Sequence, residues 1–237
     1  MIILAFDSTA KAASVAVTDD NRPLGIYTID NGLTQSELLL PMAENLLKSL
    51  KLSFSDVELF ATSVGPGSFT GVRIGVSLVK GLAFGKNIPC VAVSTLEALA
   101  ENLCGTVGII VPVMDARRAQ VYNAIFSSSG YDIKRLTPDR AIAAKDLAEE
   151  LKNYHSEDIY LSGDGYEVAM NALALAGVKP RQTPPLLITE NAYSVARVAY
   201  KKHLNGEITT DREIAASYLR LPQAERERLE ALKKENK

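Results

Sequence analysis

The chain has 237 residues, 47% of them hydrophobic and 23% charged, which is enough apolar material for a sizeable core and excludes disorder except at the end. A formal net charge of −2 and an isoelectric point near 5.8 leave no electrostatic footprint for holding a phosphate backbone, and no Lys/Arg block interleaves with aromatics, so a partner must hold most of any RNA. Two cysteines, Cys90 and Cys104, are too few for a disulfide framework, and the two histidines, His155 and His203, have no second ligand at metal-site spacing.

The opening MIILAFD is an apolar strand ending in Asp7; it lacks a basic leader region and is too short to span a membrane, so a cytoplasmic chain is expected. SVAVTD and PLGIYTID, joined through Asp19–Asn21, read as the next two strands of an antiparallel ribbon. Over residues 34–50 apolar positions recur at helical spacing, and Thr34 and Glu37 have the spacing of a capping box. Pro41 interrupts this pattern: either the helix kinks there or Pro41 is its first residue.

VELFATSVGPGSF is a strand ending in a glycine-rich turn, followed by a helix in which Val72, Val76, Val79 and Ala83 mark one face. Gly71, Gly75, Gly81 and Gly85 lie in the same stretch, where each interior glycine costs about 1 kcal/mol relative to alanine, so something must offset them. NIPCVAVSTLEALAENL adds a strand and a helix capped near Ser94. In the second half, VGIIVPVMDARRAQVYNAIFSSSGYDIKRL reads as strands broken at Met114–Ala116 and at Ser127–Gly130, AKDLAEELKNY as a helix, and DIYLSGDGYEVAMNALALAG as strand, turn and helix. After Pro222 the run is highly charged, with Leu229 and Leu232 as its apolar anchors, and reads as a solvated terminal helix that frays.

Strand–helix alternation in both halves implies an α/β protein with mixed sheets. Three turns stand where strands end. Asp7-Ser8-Thr9 and Asp115-Ala116-Arg117 occupy similar places in the two halves, and Gly163-Asp164-Gly165 joins a strand to a helix. Their order matches the layout of the actin/hexokinase/Hsp70 ATPase-like fold: two similar lobes, each with a phosphate hairpin, then an adenosine turn. The expected division is an N-terminal lobe of residues 1–104, a C-terminal lobe of 105–221 and a charged tail of 222–237. Against that pattern the turns are depleted of glycine, so the fold is suggested while a nucleotide site at Asp7, Ser8, Thr9, Asp115, Gly163 and Gly165 is a degenerate one.

With GPGSFTGVRIG at residues 65–75, the sequence closely resembles the bacterial TsaB (YeaZ) family. LAFDST, SELLLPM, VSTLEALA, MDARRAQVY and ASYLRLPQAER reinforce the likeness by occurring in the same order. The resemblance implies a non-catalytic subunit that binds and activates TsaD, the transferase forming N6-threonylcarbamoyladenosine at position 37 of tRNAs that read codons starting with A. It further implies TsaE joining through the pair, tRNA contacted only within the complex, and no cofactor beyond an adenine nucleotide held weakly or at the partner interface. The catalytic relative binds a metal through two histidines four residues apart; Thr95 and Leu99 stand there in this chain, and neither replaces imidazole.

Arg73, Ser77 and Lys80 form a narrow polar stripe on the glycine-rich helix, leaving more apolar surface than one sheet needs. The ridge Gly67, Gly71 and Gly75 either packs on the helix at 34–50 or admits a partner helix. Family members pair through these two helices, as homodimers or with TsaD, so the expected partner surface includes Leu39, Met42, Ala43, Leu46, Leu47, Gly71, Val72, Gly75, Val76 and Val79. On this reading Gly75→Leu weakens assembly without unfolding the monomer. Rival functions are a small-molecule kinase of the same fold, using Asp7 or Asp115, a peptidase, which lacks an evident nucleophile and base, and an independent RNA-binding module, which conflicts with the acidic balance.

Overall fold

A computed structural model describes residues 1–220, and the expected helix at 222–237 lies outside them. The chain begins with the predicted ribbon, β1 (Ile2–Asp7), β2 (Ala13–Asp19) and β3 (Arg22–Ile29), paired antiparallel in sequence order. Helix α1 (Gln35–Ser49) follows. The Glu37 carboxylate accepts from the Thr34 N–H at 3.2 Å and from its hydroxyl at 2.8 Å, which fixes the helix start at the predicted capping residue. The helix runs through Pro41, which is exposed and is not its first residue, so the missing backbone donor falls on the solvent side.

Next come β4 (Leu59–Ser63), α2 (Phe69–Ala83), β5 (Cys90–Val93) and α3 (Thr95–Glu101). β4 joins β1 in parallel and β5 extends the sheet, giving the order β3-β2-β1-β4-β5. Strand alternation puts the two faces of β1 to different uses. Leu4 and Phe6 pack with Leu39, Leu46, Val72 and Val79 under α1 and α2, whereas Ile3 and Ala5 face the opposite layer.

The second sheet contains β6 (Val107–Asp115), β7 (Gln120–Asn123), β8 (Phe126–Ser129), β9 (Ile133–Arg135), β10 (Arg140–Ala143) and, after α4 (Ala144–Leu151), β11 (Ile159–Ser162). β11 runs parallel to β6 as β4 does to β1. Helix α5 (Tyr166–Ala176) packs with α4 on this sheet, and the single turn α6 (Pro185–Ile188) leads to α7 (Ala192–Leu204). Helix α3 supplies Leu96 and Leu99, and the turn after it Leu103, to a cluster shared with Ala10 of the first lobe and Ile110 and Phe126 of the second.

Helix α7 corrects the expected division. Its Val195, Ala196 and Ala199 cover the outer face of the first sheet against Ile3, Ala5, Leu59 and Val91, so a segment assigned by position to the C-terminal lobe belongs to the core of the N-terminal one. Asn191 caps it, accepting from the Tyr193 N–H at 2.8 Å. Beyond α7 the chain stays with the first lobe: Thr209 exchanges backbone hydrogen bonds with Cys90, Lys80 donates to the Arg212 carbonyl, and the Ser217 N–H donates to the Val64 carbonyl at 2.7 Å.

Candidate functional site

A cleft of about 710 Å³ opens between the two sheets, and the second and third predicted turns converge on it. Asp115, Ala116, Arg117, Gly163 and Asp164 line it directly. The Asp115 N–H donates to Asp164 Oδ1 at 2.8 Å, which ties the second hairpin to the β11–α5 turn. Gly165 sits behind them, where an added Cβ would press on the Met114 and Asp115 backbone at 2.9–3.1 Å. Arg117, Arg118 and Ala119 all have left-handed backbone, at φ +65°, +54° and +54°, each disfavoured by about 1 kcal/mol or more for a residue with a side chain.

The first turn is placed differently. Asp7, Ser8 and Thr9 are buried, and residues 10–12 line the cleft in their stead. Asp7 accepts from the Ser63 hydroxyl at 2.6 Å and from the Thr9 N–H and hydroxyl at 2.9 and 2.7 Å. Burial dominates and holds its carboxyl above the ordinary value of 3.8, against the opposing pull of those hydrogen bonds. The Ser8 hydroxyl donates to the Gly71 carbonyl at 2.8 Å. Helix α2 therefore roofs the turn, and Asp7, Ser8 and Thr9 do not fit a phosphate.

The roof explains the glycines and corrects two expectations. A Cβ on Gly67 would lie 2.5 Å from the Thr9 carbonyl oxygen, one on Gly71 would clash with the Ser8 carbonyl, and one on Gly75 would lie 2.7 Å from the Ser8 hydroxyl and 2.8 Å from that of Thr62. The ridge thus admits the chain's own first turn, neither a partner helix nor α1. Gly75→Leu would damage the monomer itself. Leu39, Met42, Ala43, Leu46, Leu47, Gly71, Val72, Gly75, Val76 and Val79 are likewise all buried beneath their helices, because the strongest 3.6-residue stripe faces the chain's own sheet. What α1 and α2 present outward is a shallower groove of about 560 Å³ lined by Leu40, Phe69, Arg73, Ile74 and Leu78.

Glu190, just before α7, had no motif to reveal it. It is 4% exposed, and its Oε1 accepts from the Asp164 N–H at 3.1 Å, joining the start of α7 to the third turn. Burial, together with the nearby Asp164 and Asp7 carboxylates, pushes its pKa up to about 8. Thr95 and Leu99 are buried one turn apart on α3, and the Thr95 hydroxyl has no hydrogen-bond partner. Among the described residues no three His, Cys, Asp or Glu side chains are grouped to hold a metal ion, and no helix is long and apolar enough to cross a membrane.

Two parallel–antiparallel sheets with flanking helices and a cleft at their turns define a protein of the actin/hexokinase-like ATPase fold. A family model described as TsaD, tRNA N6-adenosine threonylcarbamoyltransferase, matches residues 32–227. The chain is 34% identical over 164 residues to the tRNA threonylcarbamoyladenosine biosynthesis protein TsaB of Bacillus subtilis, covering 69% of this chain and 72% of that one. It is 30% identical over 169 residues to the TsaB of Escherichia coli, covering 70% and 73%. The solved structure of YeaZ from Pseudomonas aeruginosa superposes with a TM-score of 0.76 at 25% identity, over 92% of this chain and 99% of that one. The chain belongs to the TsaB (YeaZ) family.

Proposed function

We propose that this chain is a non-catalytic subunit of the machinery that forms N6-threonylcarbamoyladenosine at position 37 of tRNAs reading codons that start with A. The observation that carries the reading is its likeness to two proteins named for that biosynthesis. In this role it binds and activates TsaD, TsaE joins through the pair, and tRNA is held firmly only within the assembly. The buried first turn supports a non-catalytic role, since the Asp7 carboxylate is already occupied by Ser63 and Thr9. It also weighs against the kinase alternative, which needs an open phosphate cradle.

The partner surface in this reading is the outward groove of α1 and α2, with Leu40, Ile74 and Leu78 as its apolar contacts. The free chain pairs with a second copy through the same face. Reconstituted tRNA modification with TsaD and TsaE, with and without this chain, tests the proposal. Product is expected only when the chain is present. Full modification in its absence, or phosphoryl transfer to a small molecule by the isolated chain, would overturn it.

A further inference from the structure

The mouth of the cleft carries an assembly that the sequence scatters. Tyr218, in the segment after α7, stacks on Phe69 in the first turn of α2, with ring centroids 4.6 Å apart and 28° between planes. The Arg73 guanidinium lies 3.9 Å from the Phe69 centroid, and its Nε donates to the Tyr218 hydroxyl at 2.9 Å. The neighbouring Ser217 N–H is clamped to the Val64 carbonyl. Tyr218 is thus held by its hydroxyl, its backbone and a second ring, yet it stays 44% exposed and lines the cleft. An aromatic residue, already ordered, is partly open to solvent there.

Cations accompany it. Lys11, Arg117 and Arg220 line the same cleft, and Arg220 bonds the Ala116 carbonyl at 3.4 Å while lying 5.5 Å from the Tyr122 centroid. The exposed Asp30 and Asp164 line the same cleft, and the Arg117 side chain, 82% exposed, pairs with Asp115 at 3.4 Å. The rim cations attract phosphate, while the first turn below is closed by α2 and offers a triphosphate no cradle. That arrangement suits a strand crossing the mouth, with one base stacked and its phosphates outside, better than a triphosphate inserted to the bottom.

We propose that the mouth is a stacking platform for an unpaired RNA base, with Tyr218 as the platform and Lys11, Arg117 and Arg220 drawing the flanking phosphates. Choosing RNA as the source of the base rests on the proposed role in tRNA modification. An aromatic face with adjacent cations is the means by which proteins hold single-stranded nucleic acid without reading sequence. The overall acidic charge keeps such binding weak in the free chain.

The test titrates a labelled short single-stranded RNA into the full chain at low ionic strength, comparing wild type, Tyr218→Ala and Tyr218→Phe. Tyr218→Ala should lower affinity at least about five-fold, the low end of what one stacked base contributes, and Tyr218→Phe should retain it. Arg117→Ala should weaken binding and flatten its salt dependence. Equal affinity of wild type and Tyr218→Ala, or no RNA binding by wild type, would overturn the platform. So would binding of free ATP that depends on Tyr218 while RNA binding does not, which would assign the ring to a mononucleotide. Sedimentation of each variant with TsaD reports separately on the subunit reading, which can fail while the platform stands.

Discussion

The turns that end β1 and β6 hold corresponding places in their lobes and have opposite fates. At the first, the Asp7 carboxylate is enclosed by Ser63 and Thr9, and a helix stripped of side chains on one ridge lies directly on Ser8 and Thr9. At the second, Asp115 faces the cleft, and the three residues after Ala116 are exposed and keep a left-handed backbone. One hairpin is therefore part of the core, while the other stays open to the cleft. The glycines of α2 are the means: their propensity cost is offset by the contacts that close approach permits.

The largest expected effect falls on that roof. Gly71→Ala drives a Cβ into the Ser8 backbone carbonyl and should destabilise the chain by about 3 kcal/mol, read from the urea midpoint at unchanged slope. A loss under about 0.5 kcal/mol would mean that α2 does not rest on the turn.

The next effect is on Glu190. Its folded pKa of about 8 lies above the ordinary 4.5, so between those values the folded chain keeps a proton that the unfolded chain has lost. The stabilisation is complete below pH 4.5 and is lost as pH rises through 8. Glu190→Gln keeps the acceptor for the Asp164 N–H without the titration. It should gain about 3 kcal/mol on wild type at pH 7 and nothing near pH 4, measured by denaturant unfolding across pH. A variant whose advantage does not grow with pH would contradict the burial assigned to this carboxyl.

The smallest effect sharpens the contrast from the open side. Ala119→Gly relieves a left-handed residue at φ +54° and should stabilise by about 0.5–1 kcal/mol in a thermal melt. Destabilisation would show that the Ala119 methyl contributes more than its backbone strain costs.

Much of the fold was legible because local chemistry and tertiary packing agree. The β1–β3 ribbon follows from apolar runs and a polar turn, Thr34 and Glu37 mark the start of α1, and Ser94 caps α3, accepting from the Glu97 N–H at 3.3 Å. The sidedness of α1 and α2 was misread. An apolar stripe at helical spacing shows that a face is buried and does not say against what; Val72, Val76 and Val79 proved to be the chain's own core, with Ile74 and Leu78 on the half-covered outer side. Helix α7 went unpredicted although Ala192, Val195, Ala196 and Ala199 repeat at i, i+3, i+4 and i+7 behind an Asn cap. Glu190 and Tyr218 could not be found locally, because their partners Asp164 and Phe69 are far away in sequence and meet them only on chain closure.

In the proposed function the outer face of α1 and α2, rather than the buried glycine ridge, carries the partner. Sedimentation velocity of this chain mixed with TsaD, as wild type and as Ile74→Asp, tests it most directly. The account predicts a heavier species with wild type that disappears with Ile74→Asp, while the variant alone keeps its circular dichroism and its unfolding midpoint to within about 1 kcal/mol. A complex formed equally well by a folded Ile74→Asp chain would contradict it.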